Sequence, residues 1–118
     1  MFRWGRTEAQ NVPELTTVQD YEALLSRDLA IVFKHSPACV GSWLAHATVS
    51  QFLKSQPETA VYLVCVRRHR DLSRHIADHT GVQHASPQVL VFRKGQVVKT
   101  ASHDQITPEL LASVRESV

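Results

Sequence analysis

Cysteine is scarce here: Cys39 and Cys65 are the only two in 118 residues. They form no C-x-x-C pair, which excludes the spacing of a structural zinc site. In a reducing cytosol two distant thiols stay reduced, so no disulfide is expected to hold the fold. Glycine and proline are also few, 4 and 5, which excludes a collagen-like or low-complexity chain. Charge of one sign is lacking as well: 13 Lys and Arg stand against 11 Asp and Glu, for a net charge of +2. So weak and scattered a balance makes no nucleic-acid footprint, and no nucleic-acid partner is expected. No apolar run approaches the roughly 20 residues of a membrane span. The opening Met1-Phe2-Arg3-Trp4-Gly5-Arg6 lacks the continuous apolar stretch of a secretory signal, so the expected location is the cytoplasm, with no membrane partner. A Gly-rich phosphate loop, a Ser-His-Asp grouping and a His-Glu-x-x-His motif are all missing, and no metal site is expected.

What is present describes one globular domain. Hydrophobic residues make up 43% and charged residues 20%, and a chain of this length buries roughly two thirds of its unfolded surface without a metal or disulfide. Residues 1–11 show no periodicity and read as a lead-in to a domain over 12–118. Val12-Pro13-Glu14-Leu15 reads as a short edge strand, since its Pro is excluded from a central one. A helix is expected over 17–27, opened by Thr17, with Val18, Tyr21, Leu24 and Leu25 on one face. Leu29-Ala30-Ile31-Val32-Phe33 suits a strand buried on both faces.

Beyond Pro37 a long helical pattern begins. Val40, Trp43, Leu44 and Ala47 form the stripe expected to face the core, continued by Val49, Phe52 and Leu53 and stopped by Pro57. Residues 60–66 read as a second buried strand. Asp71 is expected to N-cap a helix carrying Leu72, Ile76 and Ala77 and ending at Gly81. Val89-Leu90-Val91-Phe92 and Gln96-Val97-Val98 flank the hairpin signal Lys94-Gly95, and Thr107-Pro108 opens a last helix. The order β-α-β-α-β-α-β-β-α predicts an α/β fold. Its strands run parallel with helices on both faces, and the late hairpin adds antiparallel edge strands.

Cys39 follows a buried strand and opens a helix. Helix N-termini place N–H groups and the positive dipole end beside such a sulfur, favouring the thiolate, and Lys34 and His35 are near enough in sequence to add to that field. Ligands of open α/β sheets gather at such strand-to-helix junctions. Cys39 is therefore the candidate nucleophile; its alternative is an inert core thiol. Ser42, at i+3, completes a C-x-x-S motif and cannot attack a mixed disulfide, so any redox cycle needs another thiol to resolve it. Ser36 is either a hydrogen-bond donor to the thiolate or a plain turn residue. Cys65, in Val64-Cys65-Val66, reads as a small core residue, although one residue of register decides which face it points to. Ser86-Pro87-Gln88 starts a strand, and on the residues alone a trans Pro87 is the default. Arg67, Arg68, His69 and Arg70 form a basic cluster that either steers an anion or is a solvated loop. His75 and His79 sit at i, i+4 but lack a third ligand.

Three segments resemble the YtxJ-like family. They are Lys34-His35-Ser36-Pro37-Ala38-Cys39-Val40-Gly41-Ser42, then Arg70-Asp71-Leu72-Ser73 with Ile76-Ala77, and Val82-Gln83-His84-Ala85-Ser86-Pro87-Gln88. Ser102-His103 and Ile106-Thr107 fit the same pattern, so the resemblance runs over about 12–114. Members of that family are thioredoxin-fold monothiol bacilliredoxins of the bacillithiol system. The resemblance implies a mixed sheet of four to five strands flanked by helices. It also implies a cis Pro87 opposite the nucleophile, with Ser86, Pro87 and Gln88 presented to substrate and Lys34, His35, Ser36, Pro37 and Ser42 around the thiolate.

The implied reaction removes bacillithiol from mixed disulfides on client proteins. Bacillithiol is then a co-substrate, no tightly bound cofactor is needed, and a monomer suffices. Because bacillithiol carries a malate group, Lys34 and the basic cluster at 67–70 become candidate carboxylate partners. Two departures stand out: Cys65 occupies a strand position where an Asp is usual, and Gly41 replaces a bulkier apolar residue in the active-site turn. The competing reading is a thioredoxin-fold module that binds a thiol or an iron–sulfur cluster without turnover. The C-G-F-S motif of cluster-binding monothiol proteins is absent, since Val40-Gly41 stands in place of Gly-Phe. A third reading is a scaffold in which Cys39 is incidental.

Overall fold

A computed structural model describes residues 12–116, with side chains to residue 114; the expected lead-in over 1–11 lies outside the described residues. The elements run α1 (Val18–Leu24), β1 (Leu29–His35), α2 (Val40–Ser55), β2 (Ala60–Cys65), α3 (Arg70–Thr80), β3 (Gln88–Arg93), β4 (Gln96–Ser102) and α4 (Pro108–Glu116). The strands form one mixed sheet in the order β2-β1-β3-β4. β1 pairs parallel with β2 and antiparallel with β3, which pairs antiparallel with β4.

Burial on both faces explains why β1 reads as an unbroken apolar run. Ile31 and Phe33 point with Val61, Leu63, Cys65, Val89 and Val91 into a core closed by Ala45, Val49 and Phe52 of α2 and Leu111 and Val114 of α4. Ala30 and Val32 point with Val64, Leu90 and Phe92 into a second core against Tyr21 and Leu24 of α1 and Leu72 and Ile76 of α3.

Local signals set most boundaries. The Asp20 N–H donates to Thr17 Oγ1 at 3.0 Å and caps α1, which closes at Leu24, short of the expected 27. The Leu110 N–H donates to Thr107 Oγ1 at 3.1 Å ahead of α4. Gly81 leaves α3 in the left-handed region at φ 74°. Lys94 and Gly95, at φ 52° and 83°, make the two positive-φ residues of a tight hairpin.

Four expectations are corrected. The late hairpin does not lie wholly at the edge: β3 is central, paired on both sides, and only β4 is an edge strand. β3 is buried on both faces, whereas β4 is mostly exposed. The segment around Glu14 is not a full strand but a single parallel bridge from Glu14 to Leu63, held by two 2.8 Å hydrogen bonds along the free side of β2. Asp71 does not cap α3; His69 occupies the N-cap, and Asp71 lies exposed in the first turn, where the dipole still favours its charge.

The face of α2 is the largest correction. Val40, Trp43 and Leu44 are 77%, 51% and 68% exposed, and Ala47 is exposed with them. The buried residues are Ser42, Ala45, His46, Val49 and Phe52. They recur at the same helical period two positions later, because Ser42 and His46 find packing and polar partners inside.

Candidate active site

β1 delivers its last two residues to opposite faces of the sheet, as strand geometry requires. Lys34 is fully buried on the α3 side. Its Nζ donates to the Ser73 carbonyl at 3.0 Å and lies 3.4 Å from His84 Nδ1. Burial lowers its pKa to about 8. His35 goes to the α2 side, where its ring meets Trp43 edge-on at 4.5 Å and His46 at 5.2 Å. Burial, with a contribution from His46, pulls its pKa down to about 4. His35 is thus neutral at pH 7 and adds no positive field at the start of α2. Among the described residues, neither of its ring nitrogens has a hydrogen-bond partner.

After His35 the chain turns through Ser36, Pro37 and Ala38. The Cys39 N–H donates to the Ser36 carbonyl at 3.1 Å. Cys39 then takes the N-cap of α2, extended at φ −115° and ψ 124°, and stays partly exposed. Its carbonyl accepts from the N–H groups of Ser42 and Trp43. Trp43 Nε1–H donates back to the Pro37 carbonyl at 2.9 Å and so pins the turn. A Cβ at Gly41 would sit 3.7 Å from Cys39 Sγ, ordinary contact distance; with glycine there, that side of the sulfur stays open.

Ser42 is fully buried. Its Oγ accepts from the Ser36 N–H at 3.1 Å and lies 3.4 Å from Ser86 Oγ. The Ser86–Pro87 bond is cis, and the Pro87 carbonyl accepts from the His103 N–H at 3.1 Å. The structure therefore brings Cys39, Ser36, Pro37 and Ser42 together with Ser86 at one end of the sheet. Gln88 stands apart: it is buried opposite Lys34 in the ladder and donates through Nε2 to the Gln83 carbonyl at 3.0 Å.

Cys65 ends β2 beside His35, 1% exposed and within the core on the α2 face. Of the basic cluster, Arg68 donates from one guanidinium nitrogen to both carboxylate oxygens of Glu14, at 2.9 and 2.7 Å, with His69 3.6 Å from the same carboxylate. Arg67 and Arg70 face open recesses instead. His75 and His79 stack on each other beside Tyr21, whose hydroxyl lies 2.8 Å from His79 Nδ1. Among the described residues, no three His, Cys, Asp or Glu side chains are grouped to hold a metal, and no helix is long and apolar enough to cross a membrane.

Sequence reasoning missed two features. Trp43, expected in the core, instead clamps the turn ahead of Cys39. His84 and Ser73 surround the Lys34 ammonium; the alternation of Ala30, Val32 and Lys34 along the strand carried the signal for that placement.

Chemically, the arrangement offers one partly exposed thiol at a helix N-cap, with a buried hydroxyl where a two-cysteine site would have its second sulfur. The model of the family described as monothiol bacilliredoxin BrxC matches residues 13–111. Among solved structures, one described as a candidate oxidoreductase with a thioredoxin fold is 30% identical at a TM-score of 0.85, over 93% of this chain and 99% of its own. Mitochondrial thioredoxin 3 of Saccharomyces cerevisiae, in its oxidised form, is 15% identical at a TM-score of 0.75, over 95% of this chain and 100% of its own. Oxidised thioredoxin of Plasmodium falciparum is 16% identical at 0.71, over 91% and 97%. The last two show the fold alone. The chain belongs to the monothiol bacilliredoxin BrxC family, thiol oxidoreductases on the thioredoxin fold.

Proposed function

We propose that the protein removes bacillithiol from mixed disulfides on client proteins, with Cys39 as the only nucleophile. The observation that carries this reading is Ser42: the position of a resolving cysteine holds a buried hydroxyl already engaged with Ser36 and Ser86. Cys65, the other thiol, is shut inside the core. An adduct on Cys39 must then be cleared by a thiol from solution.

The Cys39 thiolate attacks the bacillithiol sulfur of the mixed disulfide. The old S–S bond breaks, a new one forms to Cys39, and the client leaves as its thiolate. A second bacillithiol thiolate then attacks the bound bacillithiol sulfur, releasing bacillithiol disulfide and regenerating the Cys39 thiolate. Cys39 sits at the N-cap of α2, beside the positive end of the helix, a place that suits a sulfur which must both attack and leave. Ser36, Pro37 and Ser42 hold the turn, Ser86 and Pro87 form the facing wall, and Lys34, His35 and Gln88 support it from within the sheet. Exposed Val40, Trp43 and Leu44 beside the sulfur favour a protein client, since apolar surface of that kind is buried on docking. We place this reaction in the cytoplasm, carried out by a monomer with no resident cofactor and no nucleic-acid or membrane partner.

Intact mass spectrometry of the protein mixed with a bacillithiolated client tests the reading, wild type beside Cys39→Ser. The expected result is loss of the adduct from the client and its gain on wild-type Cys39, with no transfer in the variant. A clean wild-type protein that leaves the client modified would overturn it and move the thiol- or cluster-binding module to the front.

A further inference from the structure

Behind the Ser86–Pro87 wall, on the opposite side of the sheet from α2, lies an open recess of about 430 Å³. Arg67, Arg70, Arg74, Ser73 and His84 line it, and no acidic side chain does. Arg74 shares a long, exposed contact of 3.8 Å with Asp71. Arg67 and Arg70 form no ion pair with any described residue.

Two of the lining residues, Ser73 and His84, also hold a buried cation. Lys34 is fully buried, yet its ammonium meets only the Ser73 carbonyl and His84 Nδ1, with no carboxylate among the described residues in ion-pair range. Burying an ammonium without a counter-charge is costly. An anion entering the recess would supply the missing charge. His84 is prepared for one as well. Its Nδ1 faces two donors, Lys34 Nζ at 3.4 Å and Ser73 Oγ at 3.3 Å. Nδ1 is therefore the acceptor, and the proton of the neutral ring sits on Nε2, which has no hydrogen-bond partner among the described residues.

Position links the recess to the thiol. His84 and Ser86 are two residues apart, at most about 7 Å of extended chain. Ser86 Oγ lies 3.4 Å from Ser42 Oγ, in the first helical turn after Cys39. The sulfur and the recess thus flank one short segment.

We propose that this recess is an anion subsite that takes the carboxylate end of the low-molecular-weight thiol joined to Cys39. It rests on the function proposed above. Arginine forks match carboxylates two bonds at a time, so Arg70 and Arg74 grip the dicarboxylate while His84 Nε2–H and the Lys34 charge complete its neutralisation from below.

Two measurements test it. In the first, the reduced protein is titrated with malate, and separately with inorganic phosphate, while backbone amide shifts are followed by NMR. Malate is expected to shift the amides of Arg70, Ser73, Arg74 and His84 in a saturable way that Arg70→Ala/Arg74→Ala abolishes. No saturable shift in the recess overturns the proposal, and so does tighter binding of phosphate than of malate at the same amides.

The second compares adduct transfer to Cys39 from a bacillithiolated peptide and from the same peptide carrying that thiol without its malyl group. Wild type should favour the malyl-bearing adduct by about tenfold, and the double variant should bring the ratio towards one, as loss of two partly exposed charge contacts implies. A wild-type ratio of one overturns the subsite. If neither adduct moves, the proposed function fails, and the malate titration still decides the recess.

Discussion

Ser42 Oγ stands between the Ser36 N–H, 3.1 Å away, and Ser86 Oγ, 3.4 Å away. One buried hydroxyl therefore ties the turn that presents Cys39 to the segment that leads into β3. Replacing Ser42 by Ala leaves the Ser36 N–H without its acceptor, at a cost of about 1–3 kcal/mol. Urea denaturation should show that loss. Ser42→Cys should instead convert the site to a dithiol: Cys39 becomes resistant to alkylation after mild oxidation, and clearance of the adduct no longer depends on added bacillithiol.

The apolar face at Val40, Trp43 and Leu44 predicts a preference for protein over small substrates. Leu44 is the clean position, because it is 68% exposed and, unlike Trp43, its side chain holds no part of the turn. For Leu44→Ser, kcat/KM with a bacillithiolated protein should fall about threefold to tenfold relative to kcat/KM with a small mixed disulfide, the effect of losing about 0.7–1.4 kcal/mol of apolar docking. Equal effects on both substrates would argue against docking there.

His35 predicts acid sensitivity. Its folded pKa is about 4 against an ordinary value of 6.5, because burial and the neighbouring His46 oppose its charge. Between those values the unfolded chain binds a proton that the folded protein does not, so stability is full above pH 6.5 and falls as pH drops towards 4. Burial shifts His46 and His84 the same way. The loss from His35 alone is up to about 3 kcal/mol. His35→Phe fills a similar space, removes two unpartnered nitrogens, and should be more stable at pH 7 with a shallower acid slope in denaturant titrations.

Lys34 predicts the opposite limb. Its folded pKa is about 8 against 10.5. Below pH 8 it is charged in both states and the folded protein bears the full burial penalty. As pH rises from 8 to 10.5 the folded ammonium loses its proton first, and stability rises. Lys34→Met should therefore be more stable than wild type at pH 7 by about 2–3 kcal/mol, a gap that closes above pH 10. Thermal unfolding of both proteins across that range checks it.

Much of the frame was legible from local pattern. β1 and β2 announced themselves as unbroken apolar runs because helices cover both faces of the sheet. Thr17 and Thr107-Pro108 marked helix starts, and Lys94-Gly95 marked the hairpin, since a tight turn demands two positive-φ residues. Cys39 was readable as a helix-opening thiol because strand, Pro37 and helix follow one another within a few residues.

The buried face of α2 was not legible. Val40, Trp43 and Leu44 are the more apolar set, yet Ser42 and His46 are inside, because hydroxyl and imidazole meet partners contributed by β1 and by the segment before β3. Nor did any local signal place β3 between β1 and β4: strand neighbours are chosen by long-range pairing.

By itself the sequence determined most of the strands and helices, several of their ends, and which thiol opens a helix, for those depend on side chains a few positions apart. The tertiary structure alone decided that Ser42 meets Ser86, that Lys34 sits beneath an arginine-lined recess, and that Cys65 is sealed away. Each of those facts rests on contacts between residues tens of positions apart, and the burial of a polar group is decided by whether such a distant partner is there to satisfy it.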